Sequence, residues 1–428
     1  MSGDAARLNT ISLPPRWQNH QRAFTMRQAN SRKRCEPVFA MKETLKFDRL
    51  MQTAQRRTRL SDLGVGGAIV MEGWQRLIDS VNNSRRYDAR GVEMLREEFS
   101  IRLAAELQLE RDLAQFPEIE NVPIIGPVFI VNFGRAGSTF LHNLMAQDER
   151  AHAPALWELW SPSPPPGRDK TDCDARIQAA RERIELVEKW TPEVLKIHPL
   201  VADQPDECHW IVSHGTHYAL QHVALPYWEW LKGLKADQQH ELMARYRLQI
   251  QRLQLFRRGG YWLSKSMSHL HALPALLHTF PHATIICLHR DPLSAVPSLC
   301  SLYQRVGSGF VHGGADAELG ELALDVFVNG MNRLMATEQS CQTARFLHVR
   351  FDDLVADPVQ TVRRIAEAMR HEYTQDWNDR CQAYLARTNT APRYQHNYAL
   401  DRFGLTEEHV NTRAAAYRRW LGRLCPAE

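Results

Sequence analysis

The residues best suited to chemistry in this chain are cations and hydroxyls placed beside glycines and at the ends of apolar runs. Pro127 to Met145 reads P-V-F-I-V-N-F-G-R-A-G-S-T-F-L-H-N-L-M. Gly134, Arg135, Ala136 and Gly137 break an apolar, β-branched run, after which Phe140, Leu141, Leu144 and Met145 recur at helical spacing. Strand, glycine turn and helix in that order point free backbone N–H groups and the positive end of a helix dipole at an anion. Arg135 adds a permanently charged fork, and Ser138 and Thr139 supply hydroxyls that can cap the helix and still reach phosphate oxygens. Two later stretches have the same character. Y-W-L-S-K ends in Lys265-Ser266 and is followed by M-S-H-L, while T-I-I-C-L ends in His289-Arg290-Asp291-Pro292. Ser294 and Ser298 lie one and two turns into the helix that follows.

The elements that must position these groups are strands alternating with helices. Apolar runs at 127–132, 261–265, 284–288 and 345–351 read as strands, and 269–280, 292–305, 319–339 and 359–369 as the helices between and after them. That alternation predicts an α/β fold, a mostly parallel sheet flanked by helices on both faces. Ligands of such sheets bind outside the carboxyl ends of the strands. Arg135, Lys265 and Arg290 would then converge on one crevice. Three cations with no matching carboxylate in these motifs call for a polyanion between them. An ATP loop requires G-x-x-x-x-G-K-[ST], but here Asn132 takes the place of the first glycine and Ser138 that of the lysine. A nucleotide kinase would therefore lack its main cationic contact, and a tight turn with no ligand is the other alternative at this point.

Composition sets the outer bounds. The 428 residues are 44% hydrophobic and 24% charged, as in an ordinary soluble globular protein. Fifty-three basic against forty-nine acidic residues give +4, too little to suggest a nucleic-acid partner but compatible with a small polyanion. No apolar run is long enough to span a membrane, and the first residues lack a secretory pattern. Eight cysteines without a C-x-x-C pair suit reduced thiols and a cytoplasmic location. Residues 1–42 read as an extended or poorly ordered arm and 43–120 as a helical subdomain packed on the core. The α/β domain would occupy 121–428, with a helical acceptor-site insertion at about 151–258. His214, His217 and His222 are spaced poorly for one helical face and no carboxylate completes them, so no metal is expected. A homodimer is the default assembly.

Taken together, these motifs resemble the PAPS-dependent sulfotransferases (PAPS is 3′-phosphoadenosine 5′-phosphosulfate), in the bacterial-type branch that carries W-x-L-K-S-P-x-H-L. The glycine turn is similar to the family's 5′-phosphosulfate loop, P-R-[ST]-G-[ST]-T: Arg135, Gly137, Ser138 and Thr139 match, and Phe133-Gly134 stands where proline usually does. Trp262, Lys265, Ser266, His269 and Leu270 match the middle motif, with Ser264 replacing an apolar residue and Met267 the proline. Arg290 and Ser298 match the pair that holds the 3′-phosphate. Further matches at 202–208, 226–231, 351–358 and 396–405 extend the resemblance over roughly residues 45 to 420.

The resemblance implies a P-loop-like sheet with metal-independent, in-line transfer of a sulfuryl group from PAPS to a hydroxyl or amine of a small molecule. Arg135 and Lys265 would stabilise the leaving phosphate, with Ala136, Gly137, Ser138, Thr139 and Phe140 around the 5′ end. Arg290 and Ser298 would hold the 3′-phosphate, and His396 and Tyr398 would close over the nucleotide. Glu207 is the expected general base, with His209 and His198 as alternatives; His269 fits a supporting place better than that of the base. Trp157, Trp160, Trp210, Tyr227, Trp228 and Trp230 would line an aromatic acceptor pocket or fill the core. A nucleotide kinase, or a non-catalytic nucleotide-binding protein of the same fold, are the rival readings.

Overall fold

A computed structural model describes residues 44–61, 67–84, 86–196, 198–212, 225–257, 259–307, 316–388 and 399–424. The arm expected over 1–42, the three histidines at 214, 217 and 222, and His396 and Tyr398 lie outside the described residues. In chain order the main elements are α1 (Phe47–Thr58), α2 (Ala68–Asn83), α3 (Ala89–Gln115), β1 (Val128–Val131), α4 (Ser138–Met145), β2 (Ala151–His152), α5 (Leu156–Trp160), α6 (Lys170–Trp190), α7 (His209–Val212) and α8 (Ala236–Gln254). They continue with β3 (Tyr261–Lys265), α9 (Met267–His271), α10 (Leu273–Thr279), β4 (Thr284–His289), α11 (Pro292–Gly307), α12 (Asp316–Ser340), β5 (Arg345–Arg350), α13 (Phe351–Ala356), α14 (Pro358–Met369), α15 (Gln375–Thr388) and α16 (Ala415–Leu424).

The five strands form one sheet in the order β2-β3-β1-β4-β5, and every pair is parallel. All four β1 residues are buried, which is why the strand reads as an unbroken apolar run instead of an alternating one. Successive side chains still go to opposite faces. Phe129, Val131, Ile285 and Cys287 join a core with Trp74, Phe99, Leu276 and Phe327, so α2, α3, α10 and α12 cover that face. Val128, Ile130, Ile286 and Leu288 join the other core with Leu141, Leu144, Val362 and Trp377, under α4, α14 and α15. The helices of 43–120 thus share a core with the sheet, and Leu45–Glu428 forms one compact unit.

Strand order explains where a site can form. From β1 the chain goes out to β2, returns to β3 beside β1, then crosses to β4 and β5 on the far side. The reversal opens a crevice at the carboxyl end of β1, between β3 and β4. Two elements differ from the sequence reading. The helix expected over 269–280 is broken at Ala272, because Pro274 lacks an N–H and suits the first turn of a new helix. Strand β2, only two residues long, carries too short a pattern to be seen in sequence.

Candidate active site

The turn after β1 is built from unusual backbone. Gly134, Arg135 and Gly137 have φ of 109°, 58° and 83°. A Cβ on Gly137 would lie 3.2 Å from both Phe351 and Leu354 in a conformation side chains rarely adopt, so glycine is required there. Arg135 is the residue that pays strain, being non-glycine in the left-handed region. Arg290 pins it: its Nη1 donates to the Arg135 carbonyl at 2.7 Å, while its guanidinium lies 4.4 Å from the Phe351 ring centre. The Arg135 side chain in turn donates from Nε to Ser298 Oγ at 3.2 Å. The strand-end arginines and Ser298 therefore meet around one loop. Ser138 and Thr139 do not cap α4 as expected; Gly137 holds the cap position, with no side-chain cap bond.

Thr139 is engaged elsewhere. Lys265, opposite Ile130 in the sheet and only 1% exposed, donates from Nζ to Thr139 Oγ1 at 3.1 Å and to Glu207 Oε1 at 2.7 Å. The expectation of cations without a matching carboxylate is corrected here, because Lys265 has one. The 206–208 segment is fixed to the strand end by Cys208 N, which donates to the Lys265 carbonyl at 3.0 Å. Glu207 Oε2 accepts from His209 Nδ1 at 3.2 Å. Burial pushes the Glu207 carboxyl up, but Lys265, His209 and His198 outweigh it and hold it well below the usual carboxylate range. His198 stands one carboxylate further out, with Nε2 3.7 Å from Asp206 Oδ1. Sequence reasoning named Glu207, Lys265 and Thr139 but missed that one ammonium bridges the other two.

His269 is placed elsewhere. It is buried in the layer that contains Phe129, with ring centres 5.1 Å apart, and its Nε2 shares a hydrogen bond of 3.1 Å with Tyr246 Oη. Burial, foremost, brings it down to about 3. Its ring thus packs on Phe129 of the central strand and is bonded within the core. Tyr246 Oη also meets Ser264 Oγ at 3.4 Å, so the serine that departs from the family motif belongs to a buried polar ladder. Met267, the other departure, opens α9 and packs toward Gly134, while Ser266 caps the helix by accepting from Ser268 N at 3.1 Å.

The aromatic residues separate into two sets. Trp228 donates to Asp325 and Trp230 to Glu72, Tyr227 stacks on Trp230, and Trp157 lies beneath Arg176. Trp160 and Trp210, edge to face at 5.5 Å, line a cavity with Glu98, Arg102, Arg183 and Leu159. Trp210 also packs on the His209 ring at 4.3 Å, so this cavity adjoins the Lys265–Glu207 pair. Among the described residues no cluster of three or more His, Cys, Asp or Glu could hold a metal ion, and no helix is long and apolar enough to cross a membrane.

A parallel sheet whose central strand feeds a glycine turn, ringed by cations from the neighbouring strand ends, defines a P-loop-like fold for handling an anionic group. A model of the sulfotransferase family matches residues 127–376, more than half of the chain, and the chain belongs to that family. Omega-hydroxy-beta-dihydromenaquinone-9 sulfotransferase Stf3 of Mycobacterium bovis is 23% identical over 313 residues, covering 68% of this chain and 74% of that protein. The crystal structure of sulfotransferase STF1 from Mycobacterium tuberculosis H37Rv superposes with a TM-score of 0.75 at 25% identity, over 88% of this chain and 100% of that one. STF9 from Mycobacterium avium gives the same TM-score and identity over 92% and 99%. The protein is a sulfotransferase, an enzyme that moves a sulfonate group from a donor to an acceptor.

Proposed function

We propose that the donor is PAPS, that the acceptor is a hydroxyl or amine of a small molecule, and that transfer runs in line without a metal ion, in the cytoplasm. The observation that carries this reading is the Lys265 ammonium, almost wholly buried between Thr139 and Glu207 at the mouth of the glycine turn. Two of its three N–H groups have partners among the described residues, and the third suits an oxygen of a bound anion. Arg135, Lys265 and the amides of Ala136, Gly137, Ser138, Thr139 and Phe140 would face the leaving 5′-phosphate, where negative charge grows. Arg290 and Ser298 would take the 3′-phosphate, which distinguishes this donor from ATP.

Glu207 is the base in this reading, and its pairing sets the order of events. While Lys265 stays on it, its carboxyl is held low and it is a weak acceptor of protons. An anionic donor that draws the ammonium toward itself releases Glu207 to accept the acceptor's proton, with His209 holding the other oxygen. Calorimetry with 3′,5′-bisphosphoadenosine and with ADP, each with and without magnesium, tests the donor. Tight, magnesium-independent binding of the bisphosphate supports PAPS; a preference for ADP with magnesium overturns it.

A further inference from the structure

The cavity beside Trp210 has an unusual balance of hydrogen-bonding groups. Its carboxylates are already paired with arginines. Glu98 accepts from Arg102 Nε at 2.7 Å and from Arg183 Nη2 at 3.1 Å, and Glu106 accepts from Arg245 Nη2 at 2.9 Å. Donors are left over. Trp160 Nε1, Trp210 Nε1 and Arg102 Nη1 are buried and have no hydrogen-bond partner among the described residues. An unmet buried donor is costly, and three on residues that line one cavity point to oxygen atoms supplied from outside. The guanidiniums are fixed by stacking: Arg183 lies 4.3 Å from the Trp160 ring centre and Arg102 5.1 Å from that of Trp210. Burial pushes the Glu98 carboxyl up, but Arg102 and Arg183 outweigh it and keep it ionised, and burial disfavours the charge on Arg183. A cationic group would meet carboxylates already paired with arginines and two guanidiniums among the lining residues.

Size and position set what could enter. The space open to the centre of a water molecule is about 30 Å³, room for the tip of a ligand and not for a whole one. One wall, Trp210, rests on His209, whose Nδ1 is bonded to Glu207. We propose that this cavity receives the end of the acceptor remote from its nucleophile, and that this end carries oxygens that only accept hydrogen bonds, in a carbonyl or a carboxylate. The inference rests on the reading above that transfer takes place at Lys265 and Glu207. Arg102, Trp160 and Trp210 then determine specificity without touching the sulfonate group.

The test uses the full chain saturated with 3′,5′-bisphosphoadenosine and four phenols that differ at the far end: para-hydroxyphenylpropanoate, para-hydroxyphenylbutanone, para-propylphenol and tyramine. Calorimetry should show the acid and the ketone binding about tenfold tighter than propylphenol, with tyramine no better than propylphenol. An acid that beats the ketone assigns the cavity to a carboxylate, and equal binding assigns it to a carbonyl. Trp160→Phe and Trp210→Phe keep the rings and remove the N–H groups, so the preference should shrink to about threefold or less in each. Four phenols that bind alike, none that binds, tyramine bound best, or a preference that survives in both variants overturns the inference. Failure of the bisphosphate itself to bind would instead sink the donor reading, which keeps the two failures apart.

Discussion

The strand-end turn and the helix-borne cavity are both charged, buried and built around arginine, yet they are assembled in opposite ways. At the turn, Arg135, Lys265 and Arg290 each come from a strand end or the residues directly after one, and the sheet register alone brings them together. In the cavity, Arg102, Trp160, Arg183 and Trp210 come from α3, α5, α6 and α7, and only side-chain packing makes them neighbours. The turn concentrates positive charge with one carboxylate at its edge, whereas the cavity balances two arginines against two glutamates and leaves donors on Trp160, Trp210 and Arg102 unmet. The first arrangement suits a fixed polyanion that many enzymes of a fold share. The second suits a group particular to one acceptor.

Five experiments would break or sharpen that contrast. The largest effect is expected from Lys265→Ala, which should lower turnover about a hundred- to a thousandfold in a labelled-sulfate transfer assay. Near-normal turnover would mean that the turn side does not carry the chemistry. Glu207→Gln should reduce turnover about a hundredfold while bisphosphate affinity stays within about twofold of the parent. Full activity in that variant moves the base to His209.

Arg290→Ala should weaken the bisphosphate about ten- to a hundredfold and ADP by less than about threefold. Because Arg290 also pins the Arg135 carbonyl, equal losses for both nucleotides would show a residue that only shapes the loop. Trp160→Phe, from the other region, should leave bisphosphate affinity within about twofold. The smallest effect concerns pH. Burial first of all holds His142, His269 and His289 at about 3, against an ordinary 6.5. Their folded values are depressed, so the stability they contribute is complete above 6.5 and is lost as pH falls toward 3. Thermal melting should shift down by several degrees between about pH 7 and pH 5, and a flat profile would contradict neutral burial of these rings.

Much of the turn was legible in the sequence because its groups sit within a few residues of recognisable elements. The strand expected over 127–132 is Val128–Val131, the helix expected from Ser138 begins there, and the strand ending in Lys265 has the predicted bounds. The 292–305 helix is Pro292–Gly307 and carries Ser298 to the Arg135 side chain. What could not be read was partnership. Nothing in A-D-Q-P-D-E-C shows that Glu207 reaches across to Lys265, and nothing in the middle motif shows that Ser264, Tyr246 and His269 form one buried ladder. Of six aromatic residues proposed together, two line the cavity and four pack elsewhere, a division that depends on helix placement.

By itself the sequence determined the four longer strands and most of the helices between them, the glycine turn, and the charges at three strand ends. Each of these follows from local periodicity, backbone freedom at glycine, and residue type. Tertiary structure decided which charge meets which: it gave Lys265 its carboxylate, took His269 into the core, and left three N–H donors unmet on residues that line one small space. The reason is physical. Backbone preferences act over a few residues, whereas an ion pair or an unmet donor exists only once segments distant in the chain are packed together and water is excluded from between them.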